Sequence, residues 1–408
     1  MAFLTKLKDE LEIQLQKSDA LLKITNSINQ NYKIKDLLAQ YEDVMKNDVG
    51  VGKLVLVNHL SNWSCILHYG TGCGCKEKDY SILQKFRKIA CVEDLDLEGF
   101  SDFDILVPVF HKDKPLSYLL IGDLDVKDVH KFKIKHKDFI KTITNIISVS
   151  IETKTLANKL LEKKLEERDM ELAAEMQRML FPDKLPHTHK VDVSATYIPK
   201  QMVSGDYYDF IQFSETEYVF CIADVSGKGV SAALLMSNLQ ANVRANIKYN
   251  ANNLTLEELV MELNESVLNN AKGEKFITFF IGYFNEETRK LKYINAGHNY
   301  PILKDKNGIK ELKIGCTVLG IFENFPSLES ETIIIEPNTI IVCYTDGITE
   351  VENEDKEQYE TDRLSEAISA NSYMKMGEMN KAILKEIDEF KGENDFPDDT
   401  AILSIRII

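Results

Sequence analysis

Four aspartates stand where β-rich runs begin or end, and their placement is the first chemical feature of the chain. Cys221-Ile222-Ala223-Asp224-Val225-Ser226-Gly227-Lys228-Gly229 carries an apolar run, Tyr218 to Ala223, into a carboxylate and then at once into a glycine turn. A helical pattern follows, with Ala232, Leu235, Met236, Leu239 and Val243 on one face. Asp224 is thereby expected at the rigid end of a buried strand, where two glycines let backbone approach a ligand closely. Taken alone, an aspartate there would serve equally as the cap of the next helix. Ser204-Gly205-Asp206-Tyr207-Tyr208-Asp209 lies upstream, across a hairpin pattern: Phe210, Ile211 and Phe213, a polar turn at Ser214 to Glu217, then Tyr218 to Ala223. Pairing those strands brings Asp206 and Asp224 near one end of a sheet. Downstream, Ile340 to Thr345 runs into Asp346-Gly347, and Pro397-Asp398-Asp399 runs into Thr400 to Ile405. Carboxylates gathered at strand ends repel one another unless cations neutralise them. Hard oxygen donors with few His or Cys nearby suit Mg²⁺ or Mn²⁺.

Gly205-Asp206, Ala223-Asp224-Val225-Ser226-Gly227-Lys228-Gly229, Asn295-Ala296-Gly297-His298-Asn299, Thr345-Asp346-Gly347 and Asp398-Asp399 follow one another in this order. That series resembles the PPM metal-dependent protein phosphatases and, within them, the SpoIIE-type bacterial branch, over about residues 186–408. One departure is Ala401, where the family often has Thr two places after the Asp pair. The resemblance implies an α+β fold, an α-β-β-α sandwich of two antiparallel sheets flanked by helices, and hydrolysis of phosphoserine or phosphothreonine. It also implies a small STAS-type anti-anti-sigma regulator as the phosphorylated substrate.

On that footing two divalent cations, Mn²⁺ or Mg²⁺, about 3.5–4 Å apart would share Asp224 as a bridge. Asp206 would complete one ion, Asp346 and Asp398 would bind the other side, and the Val225 carbonyl would add an oxygen. Gly205, Asp209, Gly227, Gly347 and Asp399 are candidates for holding these ligands in place. Asp209 would either help to hold a metal-shell water or occupy an alternating strand position between Tyr208 and Phe210. Asp399 adjoins Asp398, and adjacent strand residues point to opposite faces, so Asp398 is expected to lead. His298 is expected in a structural turn near the site, with general-acid work as its other reading. No arginine stands out as a phosphate clamp. Cys221 and Cys343 lie inside apolar runs, where a thiol stays protonated, and no Cys-x5-Arg nucleophile loop is present. Two other classes compete: a scaffold that has lost activity, and a metal-dependent hydrolase of small phosphate esters. Intact carboxylates oppose the first. Against a nucleotide enzyme, Ser226-Gly227-Lys228-Gly229 is too short for a phosphate-binding G-x-x-x-x-G-K-[ST] loop.

The elements that must position these groups are read from the rest of the chain. Its 408 residues allow two to three domains. A formal net charge of −16 argues against nucleic acid and against an anionic membrane surface as partner. No apolar run approaches the ~18 residues of a membrane span, and the first residues do not read as a signal peptide. Seven irregularly spaced cysteines suggest a reducing cytoplasm.

Residues 1–40 read as helix, with 1–19 as a separate N-terminal helix. An order of helix, strands, helix, strands, helix over about 20–150 resembles a GAF sensory domain, which implies a small-molecule or protein input. The second of those helices is expected near Ser81 to Ala90. Cys73-Gly74-Cys75 lacks the second pair that a zinc site would want, while Cys65 and Cys91 read as core. His59, His68, His111, His130 and His136 read as surface or satisfied core residues. Residues 151–185 read as a helical linker and possible coiled coil, since no proline or glycine interrupts Lys141 to Phe181. Ile143, Ile146, Ala157 and Leu160 fall on one seam; Leu165, Leu172, Met176 and Met179 fall on a shifted one. The first seam predicts a parallel helix pair through 143–165, hence a homodimer. The second fits a coiled coil or a helix packed on a neighbouring domain. An uninterrupted helix between a sensor-like region and the aspartates predicts that the N-terminal region gates the site.

Overall fold

The computed structural model describes residues 2–59, 63–71, 78–95, 97–124, 129–212, 214–250 and 255–408. Cys73-Gly74-Cys75 and Phe213 lie outside the described residues. The chain divides into two compact units, Met1–Leu165 and Glu166–Ile408. Among the described residues no helix is long and apolar enough to cross a membrane.

The first unit begins with α1 (Ala2–Asn29) and α2 (Ile34–Asp43). The helical stretch predicted over 1–40 is broken at Asn31, which takes a left-handed φ of 58°, a conformation asparagine tolerates better than most residues. Strands β1 (Val51–His59), β2 (Trp63–Tyr69), β3 (Ala90–Cys91), β4 (Ile105–His111) and β5 (Lys114–Leu124) form an antiparallel sheet in the order β2-β1-β5-β4-β3. Alternate residues of β1 serve opposite faces. Leu54 and Leu56 pack with Ile24, Leu37 and Tyr41 of the helices, while Val55 and Val57 pack with Tyr80, Leu83 and Phe103. Both faces are covered, so β1 reads as continuous hydrophobic sequence. The helix expected near Ser81 to Ala90 is a single 3₁₀ turn, Ser81–Lys85, because the chain from Ala90 is drawn into the sheet opposite Leu106.

Helix α3 (Val129–Arg178) packs Phe139, Ile140, Ile143, Ile147 and Ile151 into the same core. Tyr41 Oη and Thr144 Oγ1, 2.8 Å apart, share a hydrogen bond within it. Ile143 and Ile146, assigned from sequence to a pairing seam, are therefore taken up by this unit's own core. Exposed apolar side chains on the helix include Leu156, Leu160, Leu161 and Leu165.

In the second unit the elements are β6 (Val191–Ile198), β7 (Tyr207–Gln212), β8 (Glu217–Val225), α4 (Val230–Asn250), α5 (Leu256–Ala271), β9 (Ile277–Asn285), β10 (Lys290–Ala296), β11 (Ile302–Asp305), β12 (Gly308–Glu311), β13 (Gly315–Cys316), β14 (Glu331–Ile334), β15 (Thr339–Tyr344), α6 (Asp346–Thr349), α7 (Glu360–Ala370), α8 (Met376–Lys391) and β16 (Thr400–Ile407). One sheet runs β13-β10-β9-β8-β7, with β14 also paired to β10; the other runs β12-β11-β15-β16-β6. All pairs are antiparallel except the short β10–β13 pair.

Strand alternation builds the layers. In β8, Val219, Cys221, Ala223 and Val225 pack on α4 and α5, whereas Tyr218, Phe220 and Ile222 pack against the second sheet. In β15, Ile341 and Cys343 meet that inter-sheet core, while Ile340, Val342 and Tyr344 pack with α7 and α8. The result is helices, sheet, sheet, helices. A capping box of Thr255 and Glu258 starts α5.

Candidate active site

Each sheet of the second unit ends two neighbouring strands in carboxylates. Asp206 immediately precedes β7, whose Tyr207 pairs with Ala223 of β8, so the hairpin sets Asp206 beside Asp224. Asp224 pairs in register with Thr278 of β9. By alternation it shares a face with Phe220 and Ile222, toward the other sheet. Asp346 opens α6 just after β15, and Asp398 lies just before β16; Tyr344 pairs with Ile402 across those two strands. Thr345 joins the sheets. Its hydroxyl donates to Asp206 Oδ2 at 2.8 Å and accepts from the Ala401 N–H at 2.8 Å, and its N–H donates to the Ala401 carbonyl at 3.0 Å.

Two glycines are needed for this approach of backbones. A Cβ on Gly347 would stand 2.0 Å from the Asp399 carbonyl oxygen, and one on Gly205 would stand 2.9 Å from the Val225 carbonyl oxygen. Gly227, with φ of 84°, takes the left-handed turn after β8.

The electrostatics are those of crowded acids. Burial, and then Asp224 beside it, push the Asp206 carboxyl well above the usual range; the Thr345 hydroxyl opposes them. Burial, and then Asp346, push Asp224 up to about 7, with a hydrogen bond to Asp206 acting the other way. Asp346 is raised by burial first and by Glu350 and Asp398 next. Lys228 Nζ reaches Asp398 Oδ2 at 2.7 Å. Among the described residues no three of these carboxylates bring one oxygen each within 4.8 Å of one another, so they are neighbours without closing on one point. A partly buried set of oxygen donors that raise one another's proton affinity suits hard divalent cations, which would relieve the repulsion. Asp206, Asp224, Asp346, Asp398 and the Val225 carbonyl are the groups that could hold them.

Asp209 is directed elsewhere. It is 0% exposed and takes two bonds from Arg244, Nε to Oδ2 at 2.7 Å and Nη2 to Oδ1 at 3.1 Å, and one from the Tyr207 hydroxyl at 2.6 Å. With the Phe210 N–H as a further donor at 2.9 Å, each of its oxygens accepts two hydrogen bonds, which directs Asp209 to the contact of β7 with α4. Asp399 accepts from the Lys200 N–H at 2.8 Å, yet Asp206 and Asp224 both feel its charge, so the adjacent acids are less separated than strict alternation predicts.

His298 is buried and neutral. Its Nδ1 lies 2.8 Å from Thr278 Oγ1 and its Nε2 lies 3.1 Å from the Tyr344 carbonyl. It staples β9 to the end of β15. Sequence reasoning passed over Thr345 and Lys200. Thr345 was open to the alternation rule, since it continues the inward series Ile341, Cys343; nothing local marked Lys200.

The pattern of the family described as Stage II sporulation protein E (SpoIIE) matches residues 214–408, which takes in Asp224, Asp346 and Asp398. The chain is 31% identical over 238 residues to phosphoserine phosphatase RsbU of Bacillus subtilis (strain 168), a match covering 56% of this chain and 68% of RsbU. It is 27% identical over 326 residues to protein IcfG of Synechocystis sp. (strain ATCC 27184 / PCC 6803 / Kazusa), covering 74% of this chain. The chain spans about half the length of IcfG, 51%. Among solved structures, the SiaA-PP2C domain of Pseudomonas aeruginosa aligns with a TM-score of 0.54 at 19% identity, covering 60% of this chain and 99% of that domain, a likeness of fold. The chain thus belongs to the SpoIIE family of PP2C-type serine/threonine protein phosphatases.

Proposed function

We propose that the protein is a cytoplasmic enzyme that removes the phosphoryl group from a phosphoserine or phosphothreonine of a small STAS-type regulator in partner switching, using two divalent cations, Mn²⁺ or Mg²⁺. The convergence of Asp206, Asp224, Asp346 and Asp398 at the ends of two strand pairs carries this reading. When bound, the metals would supply an acidified water and offset charge on the phosphoryl oxygens. The chain's own groups do the positioning. Thr345 holds Asp206 and Gly347 admits the Asp399 backbone, while Lys228 restrains Asp398. Similarity to a protein named phosphoserine phosphatase supports the phosphoserine class.

The experiment is phosphate release from an intact phosphorylated STAS protein, with and without Mn²⁺, beside a short phosphopeptide of the same site. Metal-dependent release, faster on the intact protein, is expected. Full activity in excess chelator would overturn the metal reading, and equal rates on the two substrates would overturn a dedicated partner.

Residues 20–150 are proposed as a GAF-like sensory domain, after an N-terminal helix at 1–19. Its five-stranded sheet with helices on one face supports this reading. Residues 151–185 are proposed as the linker that passes a small-molecule or protein input to the phosphatase domain at 186–408. Homodimerisation is proposed through the exposed apolar residues Leu156, Leu160, Leu161 and Leu165 of α3, within the 143–165 stretch.

A further inference from the structure

A second group of ligand-type side chains lies in the Met1–Leu165 unit, in residues the phosphatase reading does not use. Cys91, Asp94 and His130 each bring one ligand atom within 4.8 Å of the other two. Local structure explains the first pair. Cys91 ends β3, and a 3₁₀ turn, Val92–Asp94, follows at once. Three residues per turn place positions i and i+3 one above the other, so Cys91 and Asp94 share a side. His130 comes from the first turn of α3, a distant part of the sequence.

The spacing of these atoms is compatible with a shared ion. His130 Nδ1 lies 3.7 Å from Cys91 Sγ. Two ligands of a tetrahedral zinc ion, with Zn–S about 2.3 Å and Zn–N about 2.0–2.1 Å, stand about 3.6 Å apart. The other ring nitrogen, Nε2, lies 3.4 Å from Glu93 Oε1. A carboxylate near the far nitrogen favours the tautomer that leaves the Nδ1 lone pair free toward the sulfur. Lys133 Nζ, 3.8 Å from Cys91 Sγ, offsets thiolate charge. The sulfur is buried while Asp94 and His130 are exposed, so an ion has a path from solvent and a fourth position open to water.

We propose that Cys91, Asp94 and His130 bind a borderline-soft divalent ion of the zinc class, with Glu93 orienting His130. One thiolate, one imidazole and one carboxylate form a donor set distinct from the all-oxygen aspartate site, so the two sites sort metals by softness. Binding removes the Cys91 thiol proton to solvent, and the two anionic ligands balance the charge of the ion. A bound ion ties β3, at the sheet edge, to the start of α3. Sequence alone placed Cys91 in the core and read His130 as a surface or satisfied core residue, and only the fold brings them together.

Cobalt(II) titrated into the full-length protein under reducing conditions tests the site. A thiolate-to-cobalt charge-transfer band, displaced by Zn²⁺, is expected; the oxygen ligands of the aspartate site cannot produce one. His130→Gln, at an exposed position that leaves the fold intact, should abolish or strongly weaken the band. Glu93→Gln should weaken affinity roughly tenfold or more. Cys91→Ser should remove the band, while Cys73→Ser with Cys75→Ser should keep it. Absence of the band in the parent, its full survival in His130→Gln, or its loss in the Cys73/Cys75 double variant would each overturn the proposal.

Discussion

The Thr345 hydroxyl donates a 2.8 Å hydrogen bond to Asp206 Oδ2, across 139 residues of sequence, and so couples one sheet to the carboxylate end of the other. The same oxygen accepts from the Ala401 N–H. Thr345→Val keeps the shape and removes both bonds. Unpartnered buried groups cost about 1–3 kcal/mol each. The variant should unfold at lower urea and release phosphate roughly tenfold more slowly, and Thr345→Ser should recover most of both. Parent-like turnover in the valine variant would show that Asp206 needs no such support.

Asp224→Asn and Asp346→Asn should each lower phosphate release by roughly a thousandfold or more, since divalent cations held there would provide most of the charge stabilisation in the transition state. In excess chelator above pH 8 the Asp224→Asn protein should melt higher than the parent. It lacks one of the crowded charges that burial and Asp346 make costly. Thermal scans with and without chelator read this directly, and a lower melting point for the variant in chelator contradicts the repulsion.

Arg244 faces a fully buried Asp209. Arg244→Met strands that charge and should cost about 3–5 kcal/mol in urea unfolding. Activity per folded molecule and metal affinity should hold, because Asp209 serves the packing of β7 on α4 and not the metal ligands. A selective loss of metal affinity would return Asp209 to the site.

Stability should fall with acid through His298. Burial pushes its pKa down to about 4, against an ordinary value near 6.5. As pH drops, the unfolded chain takes up the proton first. The contribution is therefore complete above about pH 6.5 and is lost progressively toward pH 4, on the order of 3 kcal/mol in all. Unfolding midpoints of the parent should slope more steeply across that window than those of His298→Gln. Parallel slopes would mean that His298 does not carry the effect.

Gating through α3 is tested by inserting one residue after Leu161, which rotates everything beyond by about 100°. Full-length activity should change severalfold, and an isolated 166–408 fragment should differ from the intact protein. If neither differs, the helix is a passive tether.

The aspartates were legible because each stands at the edge of an apolar run, where local pattern suffices. Tyr218 to Ala223 ends at Asp224, and alternation along β8 states which face that carboxylate takes. The layer order was expected from the family resemblance, and alternation along β8 and β15 accords with it. The Ser81–Ala90 stretch misled, since its helical spacing lost to pairing of Ala90 with Leu106, a partner that lies beyond any local window. Ile143 misled likewise, because a heptad position does not say which surface will cover it.

The amino-acid sequence by itself determined the strands, the turns and the carboxylates at their ends, because strand parity and glycine turns are properties of neighbouring residues. Only the tertiary structure decided which groups meet across sheets and between a turn and a distant helix. Thr345 reaches Asp206, Arg244 neutralises Asp209, and His130 faces Cys91. Those contacts form when separate apolar faces are buried against one another, and no local spacing encodes their outcome.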